Sequence, residues 1–455
     1  MALSLLPPPP PPPPPWTFAP SSKCVPEDQY TDLKVIDLSL FHLFDDDGSE
    51  ASKLSSVEAD AVQKDLVAQT LKAFNTTGFI ALKGHGLTSE DIQHQFALGK
   101  LLMEDVGEEE KHRLLANIKE GSWAGYKPQG YHQRPDGSYD CVEHYDFYPY
   151  TARESNLPEL AKPYTKDFRG FIEHQHYVVL RKLLGVLSLG LGLDKDYLWN
   201  LHHRGSANDG ALKVGPDEEI DWTHSKDISR YVRYRPLRSE RFPPAVKDRA
   251  EKDLWEFVHT DFGSLTFRYS QPIAAFQVLV PNGKWRYIRH YPEHIIVSLG
   301  DSMEFLTGGV LKAAPHRVVE PPKDQRHLDI LGIVYFTRLL SEVKLSLINH
   351  SSLKELGAKD VWEEYHKLGG KTLTSNDWIT RRSKLVGAKR IKRLEGDPEG
   401  VLDDIHFRHH PERVPVAGSS SSRMGPCCRF LLVVVVVVVV LLCRGLMNGT
   451  WKFAC

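Results

Sequence analysis

A surplus of charge of either sign is missing from this chain: 57 Lys and Arg stand against 59 Asp and Glu in 455 residues. A net charge of −2 creates no field for nucleic acid or an anionic membrane, so neither is an expected partner. Cysteine is scarce as well, with six in all. Cys24 and Cys141 stand alone in the body, while Cys427, Cys428, Cys443 and Cys455 crowd the end. That placement excludes a disulfide framework and fits a reducing compartment, the cytoplasm. No basic stretch opens the apolar Met1–Leu6, and nine prolines, Pro7–Pro15, follow at once, so no secretory leader is expected. The Asn-x-Ser/Thr triplets at Asn75, Asn349 and Asn448 then carry no weight. Internal repeats, a P-loop and a Gly-rich dinucleotide turn are also missing.

Low complexity marks both ends. Pro7–Pro15 reads as a polyproline II rod of roughly 28 Å with no core to bury. It is either a stiff tail or a ligand for a proline-binding domain. Near the other end, Phe430–Cys443 contains eight consecutive valines between Arg429 and Arg444. As a helix it would span roughly 21 Å, short of the ~30 Å hydrocarbon core. Three readings stay open: a membrane anchor, a segment packed elsewhere and an incidental extension. The Gly/Ser stretch before it places the end of the body near Val416.

Between these ends the pattern changes from helical to strand-like. Val57–Phe74 and Thr165–Leu191 carry apolar residues at helical spacing, and Ser89-Glu90-Asp91 opens a third helix. Gly78–Leu82 reads as a strand, as does Leu33–Leu38. A ladder of strand-like runs then follows: Ser264–Ser270, Ala274–Val280, Trp285–His290, Ile295–Leu299 and Ile330–Thr337. Turn signals separate them, Asn282-Gly283 the strongest. Asp360–Leu368 and Asn376–Val386 read as closing helices, and Arg381–Arg393 is strongly basic. The expected regions are a disordered tail over 1–30, an N-terminal region over 31–160, a long supporting helix region over 161–227, a strand-rich core over 228–340, a helical extension over 341–416 and a low-complexity tail over 417–455.

The chemistry sits at the head of the strand ladder. His259-Thr260-Asp261 is followed 57 positions later by His316. Two imidazoles and a carboxylate hold a divalent iron on one triangular face and leave three positions open. Along a strand, residues i and i+2 share a face, so His259 and Asp261 point together while Thr260 points away. The pattern alone is weak, because His144-Tyr145-Asp146 and His327-Leu328-Asp329 share it. The first is even followed by His202 at a similar distance. Context separates them: strands follow His259, whereas Pro149, Pro158 and a long helix follow His144. Zinc hydrolases use similar ligands, but they need a general base near the metal and none is evident.

These residues, with their neighbours, resemble a known family. Val35-Ile36-Asp37-Leu38-Ser39, Gly78-Phe79-Ile80 and His85-Gly86 resemble its N-terminal region. His259-Thr260-Asp261-Phe262-Gly263-Ser264-Leu265-Thr266, Gly300-Asp301 and His316-Arg317-Val318-Val319 resemble its catalytic part. The family is that of iron(II)- and 2-oxoglutarate-dependent oxygenases of the isopenicillin-N-synthase-like group. The resemblance implies a mainly β fold with flanking helices, a distorted jelly roll or double-stranded β-helix. It implies an Fe(II) site of His259, Asp261 and His316, and O₂ with 2-oxoglutarate as cosubstrates. The expected reaction hydroxylates or desaturates a small organic molecule and releases succinate and CO₂.

The resemblance fails at one place. The family meets the far carboxylate of 2-oxoglutarate with an arginine in an Arg-x-Ser motif on the last core strand, because the guanidinium fork suits a carboxylate. Counting back from Tyr335-Phe336, that position falls on Ile330; counting on from His316, it falls on Arg326. Arg326 is therefore the candidate cation, and Tyr234 the candidate for the family's nearby tyrosine. An iron oxidase that does not use 2-oxoglutarate and a non-catalytic jelly-roll protein are the alternatives.

Overall fold

The computed structural model describes residues 12–43, 56–132, 139–149, 156–203, 225–235, 254–385, 401, 402 and 405. The chain divides into units over Met1–Pro411 and Glu412–Cys455. The second unit, with Val416 at its head and the run Phe430–Cys443, lies outside the described residues. No helix among the described residues is long and apolar enough to cross a membrane.

Two sheets form the body. The smaller runs in the order β1 (Tyr30–Thr31), β10 (Trp285–Ile288), β9 (Phe276–Leu279), β12 (His316–Val319) and β7 (Leu254–His259). The larger runs β2 (Val35–Asp37), β3 (Phe79–Lys83), β11 (Ile295–Leu299), β8 (Leu265–Tyr269), β13 (Ile330–Phe336), β6 (Ile228–Tyr234), β5 (Val142–Phe147) and β4 (Gly125–Lys127). From β6 onward the chain passes back and forth between the sheets, which is the jelly roll. The ten helices, in order, are α1 (Ser56–Thr76), α2 (Ser89–Lys100), α3 (Glu108–Arg113), α4 (Thr165–His174), α5 (Arg181–Gly190), α6 (Tyr197–Asn200), α7 (Asp301–Thr307), α8 (Ser351–Glu355), α9 (Glu363–Lys367) and α10 (Ser375–Leu385) among the described residues.

Strand parity divides the molecule into a helix side and an inter-sheet side. On β8, Leu265, Phe267 and Tyr269 join the main apolar core with residues of α1, α2, α4 and α5. Their neighbours Thr266 and Arg268 point the other way, toward the smaller sheet. On β13, Leu331, Ile333 and Tyr335 enter the helix-side core, while Ile330 and Val334 enter a second cluster with Val232, Tyr234 and Val318. Both faces of the larger sheet are thus covered, and its strands β11 and β13 read as nearly continuous apolar runs. The Asn282-Gly283 turn joins β9 to β10, with Gly283 at φ 76° and Lys284 N donating to Asn282 Oδ1 at 3.1 Å.

Three departures from the expectations have physical causes. The stretch over Thr165–Leu191 is not one regular helix: a π turn, Gln175–Leu180, separates α4 from α5. It turns two polar side chains inward, Gln175 to the Tyr269 hydroxyl and His176 to Asp227 (3.0 Å). The supposed tail over 1–30 is packed from residue 12 onward. Trp16 stacks on Phe96 at 5.7 Å, Phe18 meets it edge-on at 5.0 Å, and Lys23 N donates to Asp324 at 2.7 Å. Aromatic anchors behind the prolines supply the burial that the prolines lack. Pro7–Pro11 lie outside the described residues. Finally, His144 lies on a strand, β5, paired through Tyr145 with Tyr231 of β6.

Candidate metal centre

The centre is built where β7 ends and β12 begins. His259 is the last residue of β7 and His316 the first of β12, and the two are register partners. Asp261 follows in a turn pinned by backbone. Asp301 N donates to Asp261 O at 2.8 Å, Ser302 N to Gly263 O at 3.0 Å, and Ser264 N to Thr337 O at 3.0 Å. Glycine is required at two points of this turn. A Cβ on Gly263 would lie 2.2 Å from Thr337 O, and one on Gly300 would lie 2.3 Å from Gly263 O.

His259, Asp261 and His316 each bring one donor atom to within 4.8 Å of the others, and no other such group occurs among the described residues. Asp261 Oδ1 lies 3.9 Å from His259 Nε2 and 3.7 Å from His316 Nε2. Supporting contacts aim the donors. His316 Nδ1 lies 3.0 Å from Ala314 O, so it carries the proton and leaves the Nε2 lone pair facing Asp261. Asp261 Oδ2 accepts from Ser298 Oγ at 3.1 Å, which leaves Oδ1 for the histidines. Burial holds His316 down to about 4, keeping it a neutral ligand. Burial alone would raise Asp261, but His316 and His259 outweigh it and hold the carboxyl below its usual range. Asp261 and His316 are buried and His259 is half-buried, so the open face lies toward His259.

Further residues brace the turn from outside. Asp301 accepts from Thr260 Oγ1 at 2.8 Å and from Trp378 Nε1 at 3.2 Å. Arg382, also on α10, donates to Thr260 O at 2.8 Å. The sequence flagged Gly300-Asp301 as a motif but gave no sign that Trp378, 77 positions on, and Arg382 beside it on α10 would close on it. Ser298 was legible only through parity, as the neighbour of Thr266 across β11 and β8.

The competing histidines are used otherwise. Asp146 is engaged by Arg230 through two bonds, at 2.8 and 2.7 Å, and lies 2.9 Å from His144 Nδ1. His202 Nε2 meets Ser264 Oγ at 2.8 Å. His327 and Asp329 lie in the loop before β13. Of the two cosubstrate candidates, Tyr234 faces the inter-sheet space and donates to Glu256 at 2.9 Å. Arg326 does not join it: its side chain is 59% exposed and pairs with Glu320 at 3.1 Å.

Known proteins agree with this architecture. Residues 230–331 match the model of the 2OG-Fe(II) oxygenase superfamily. Residues 33–166 match the N-terminal region of non-haem dioxygenases in morphine synthesis. A 2-oxoglutarate-dependent dioxygenase of Gibberella zeae is 31% identical over 183 residues, 40% of this chain and 46% of that protein. 1-Aminocyclopropane-1-carboxylate oxidase 3 of Arabidopsis thaliana is 24% identical over 328 residues, 70% of this chain and 86% of that one. A full-length protein of Neurospora crassa, solved in complex with alpha-KG and thymine, superposes with a TM-score of 0.58 at 19% identity, over 80% of this chain and 99% of that one. The chain belongs to the 2-oxoglutarate/Fe(II) oxygenase superfamily. It is an oxidoreductase, a dioxygenase that uses Fe(II), 2-oxoglutarate and O₂.

Proposed function

We infer that His259, Asp261 and His316 hold the iron, and that the enzyme oxidises a small organic molecule by hydroxylation or desaturation. The convergence of these three donors carries the assignment. The donor set suits ferrous iron, and each of Asp261 and His316 is already oriented by a partner. When bound, iron with 2-oxoglutarate and O₂ supplies oxidation of a substrate C–H bond with release of succinate and CO₂.

The chain's own part is orientation and exclusion of water. Phe276 packs its ring 5.4 Å from that of His316, and Phe79 packs at 6.0 Å. Thr260 points outward to Asp301, so the one residue between the two ligands of the triplet does not enter the site. The cytoplasm is the proposed compartment, on the cysteine usage.

Anaerobic Fe(II) titration tests the assignment. The parent binds one iron and develops a metal-to-ligand charge-transfer band when 2-oxoglutarate is added. His259→Ala loses the iron, and His144→Ala keeps it. Normal iron in the first and loss in the second would move the centre to the other triplet.

A further inference from the structure

Three residues at or beside the metal ligands have strand neighbours two positions away, and these share one cavity. Thr266, which faces Asp261, leads to Arg268; Ser298, bonded to Asp261, leads to Ile296; His316 leads to Val318. Arg268, Ile296 and Val318 line a narrow cavity of ≈ 50 Å³ with Tyr234, Phe276 and Ile330. Residues two apart on a strand share a face and stand about 6.8 Å apart, so this cavity lies one layer from the metal. That is the reach of a five-carbon diacid whose other end lies at the metal.

Ile330, where the arginine of the last strand was expected, gives the cavity an apolar wall. The cation comes instead from β8. The Arg268 guanidinium lies 4.5 Å over the Phe276 ring, and the Tyr234 hydroxyl and Glu256 face it, Tyr234 from the wall of the same cavity. Tyr234 donates to Glu256 at 2.9 Å, so one oxygen of that carboxylate is held by the tyrosine. Among the described residues no carboxylate comes within ion-pairing distance of Arg268. Glu256 and Asp261 act on its charge through space, but neither takes up its five N–H donors, which leaves the fork open to an anion entering the cavity. Arg289, which also borders the cavity, is engaged by Glu27 and Asp32.

We propose that Arg268 on β8, fixed by Phe276 and Tyr234, binds the far carboxylate of 2-oxoglutarate in place of an arginine on β13. This rests on the enzyme's use of that cosubstrate. Arg268 is a binding residue for the cosubstrate and takes no part in holding iron.

The test compares 2-oxoglutarate with 2-oxopentanoate, which keeps the chelating end and lacks the far carboxylate. Affinities are read anaerobically from the charge-transfer band of the Fe(II) protein, without turnover. The parent prefers 2-oxoglutarate by about 10- to 150-fold, the range for a charge-assisted pair. In Arg268→Gln the preference falls to near parity because 2-oxoglutarate weakens, while 2-oxopentanoate and Fe(II) alone bind as in the parent. Arg268→Lys, which keeps the charge without the fork, shows a reduced preference and serves if the Gln variant does not fold. A parent-like preference in either folded variant overturns the assignment to Arg268 and leaves the cosubstrate intact. A parent that binds Fe(II) yet shows no preference for 2-oxoglutarate overturns both.

Discussion

Replacing Asp301 with alanine should both unfold the enzyme more easily and loosen its iron. The Asp301 carboxylate is almost fully enclosed, at 1% exposure, and it joins three elements. One oxygen accepts from Thr260 Oγ1 at 2.8 Å; the other accepts from Trp378 Nε1 at 3.2 Å and lies 3.5 Å from Arg382 Nε. Removing one partner of a buried ion pair costs about 3–5 kcal/mol, because the other charge stays behind. Arg382 keeps its bond to Thr260 O at 2.8 Å and its place 4.5 Å over the Phe262 ring. The lower end, about 3 kcal/mol, is therefore the expected loss. Asp301→Asn keeps the shape and one acceptor, so it should lose less, about 1.5–3 kcal/mol. The effect on iron follows from Thr260, which stands between two proposed ligands and is held on both its hydroxyl and its carbonyl. Loss of such an outer support typically weakens metal binding by about 10- to 100-fold. Urea unfolding should show a lower midpoint at unchanged slope, and Fe(II) titration should show the weaker affinity. A folded Asp301→Ala that loses less than about 1 kcal/mol and keeps parental iron affinity would refute this account of the brace.

Other outcomes follow from the same contacts. A chain ending after Val416 should keep iron binding, whereas one ending after Gly370 should lose it with Trp378 and Arg382 of α10; iron content of the purified proteins decides. Arg326→Ala should leave 2-oxoglutarate affinity within about twofold, since the exposed pair with Glu320 is screened by solvent; a larger loss by the same charge-transfer titration would return the cosubstrate to Arg326. Burial holds His132, His144 and His202 each down to about 4, while unfolded histidine titrates near 6.5. Between those values the unfolded chain binds more protons than the folded one, so stability rises with pH across the window and is lost as pH falls through it. These three protons give a slope of about 4 kcal/mol per pH unit, and His316, also held down to about 4, adds a fourth in the metal-free protein. Equilibrium unfolding of the metal-free protein at several pH values checks this, and a flat profile over the window would contradict it.

How much of this was legible beforehand depended on whether the information was local. Ile295–Leu299 matched its strand to the residue, and the Asn282-Gly283 turn fell where expected, because alternation and turn chemistry are properties of neighbouring residues. The proposed metal triplet was legible as a spacing, but the strand argument for it holds only for His259, which ends β7, whereas Asp261 is set by the turn beyond it. What joins Asp301 to Trp378 or Ser298 to Asp261 is tertiary, and no spacing rule reaches it. The cosubstrate cation shows the limit most clearly. Counting along the chain from His316 led to Arg326, because an offset holds only when the intervening loop has a fixed length. Here the segment from Glu320 to Asp329 leaves the sheet, and Arg326 departs with it. Register survives such a loop where counting does not. Ile330 pairs with Tyr234 on one side of the sheet, and Arg268 pairs with Val334 two layers along the same strand. A long side chain on β8 can therefore reach the cavity that an arginine on β13 would otherwise fill. The chemical requirement fixes a place between the sheets for the cation, and the strand that supplies it is free to change as long as parity and layer are kept.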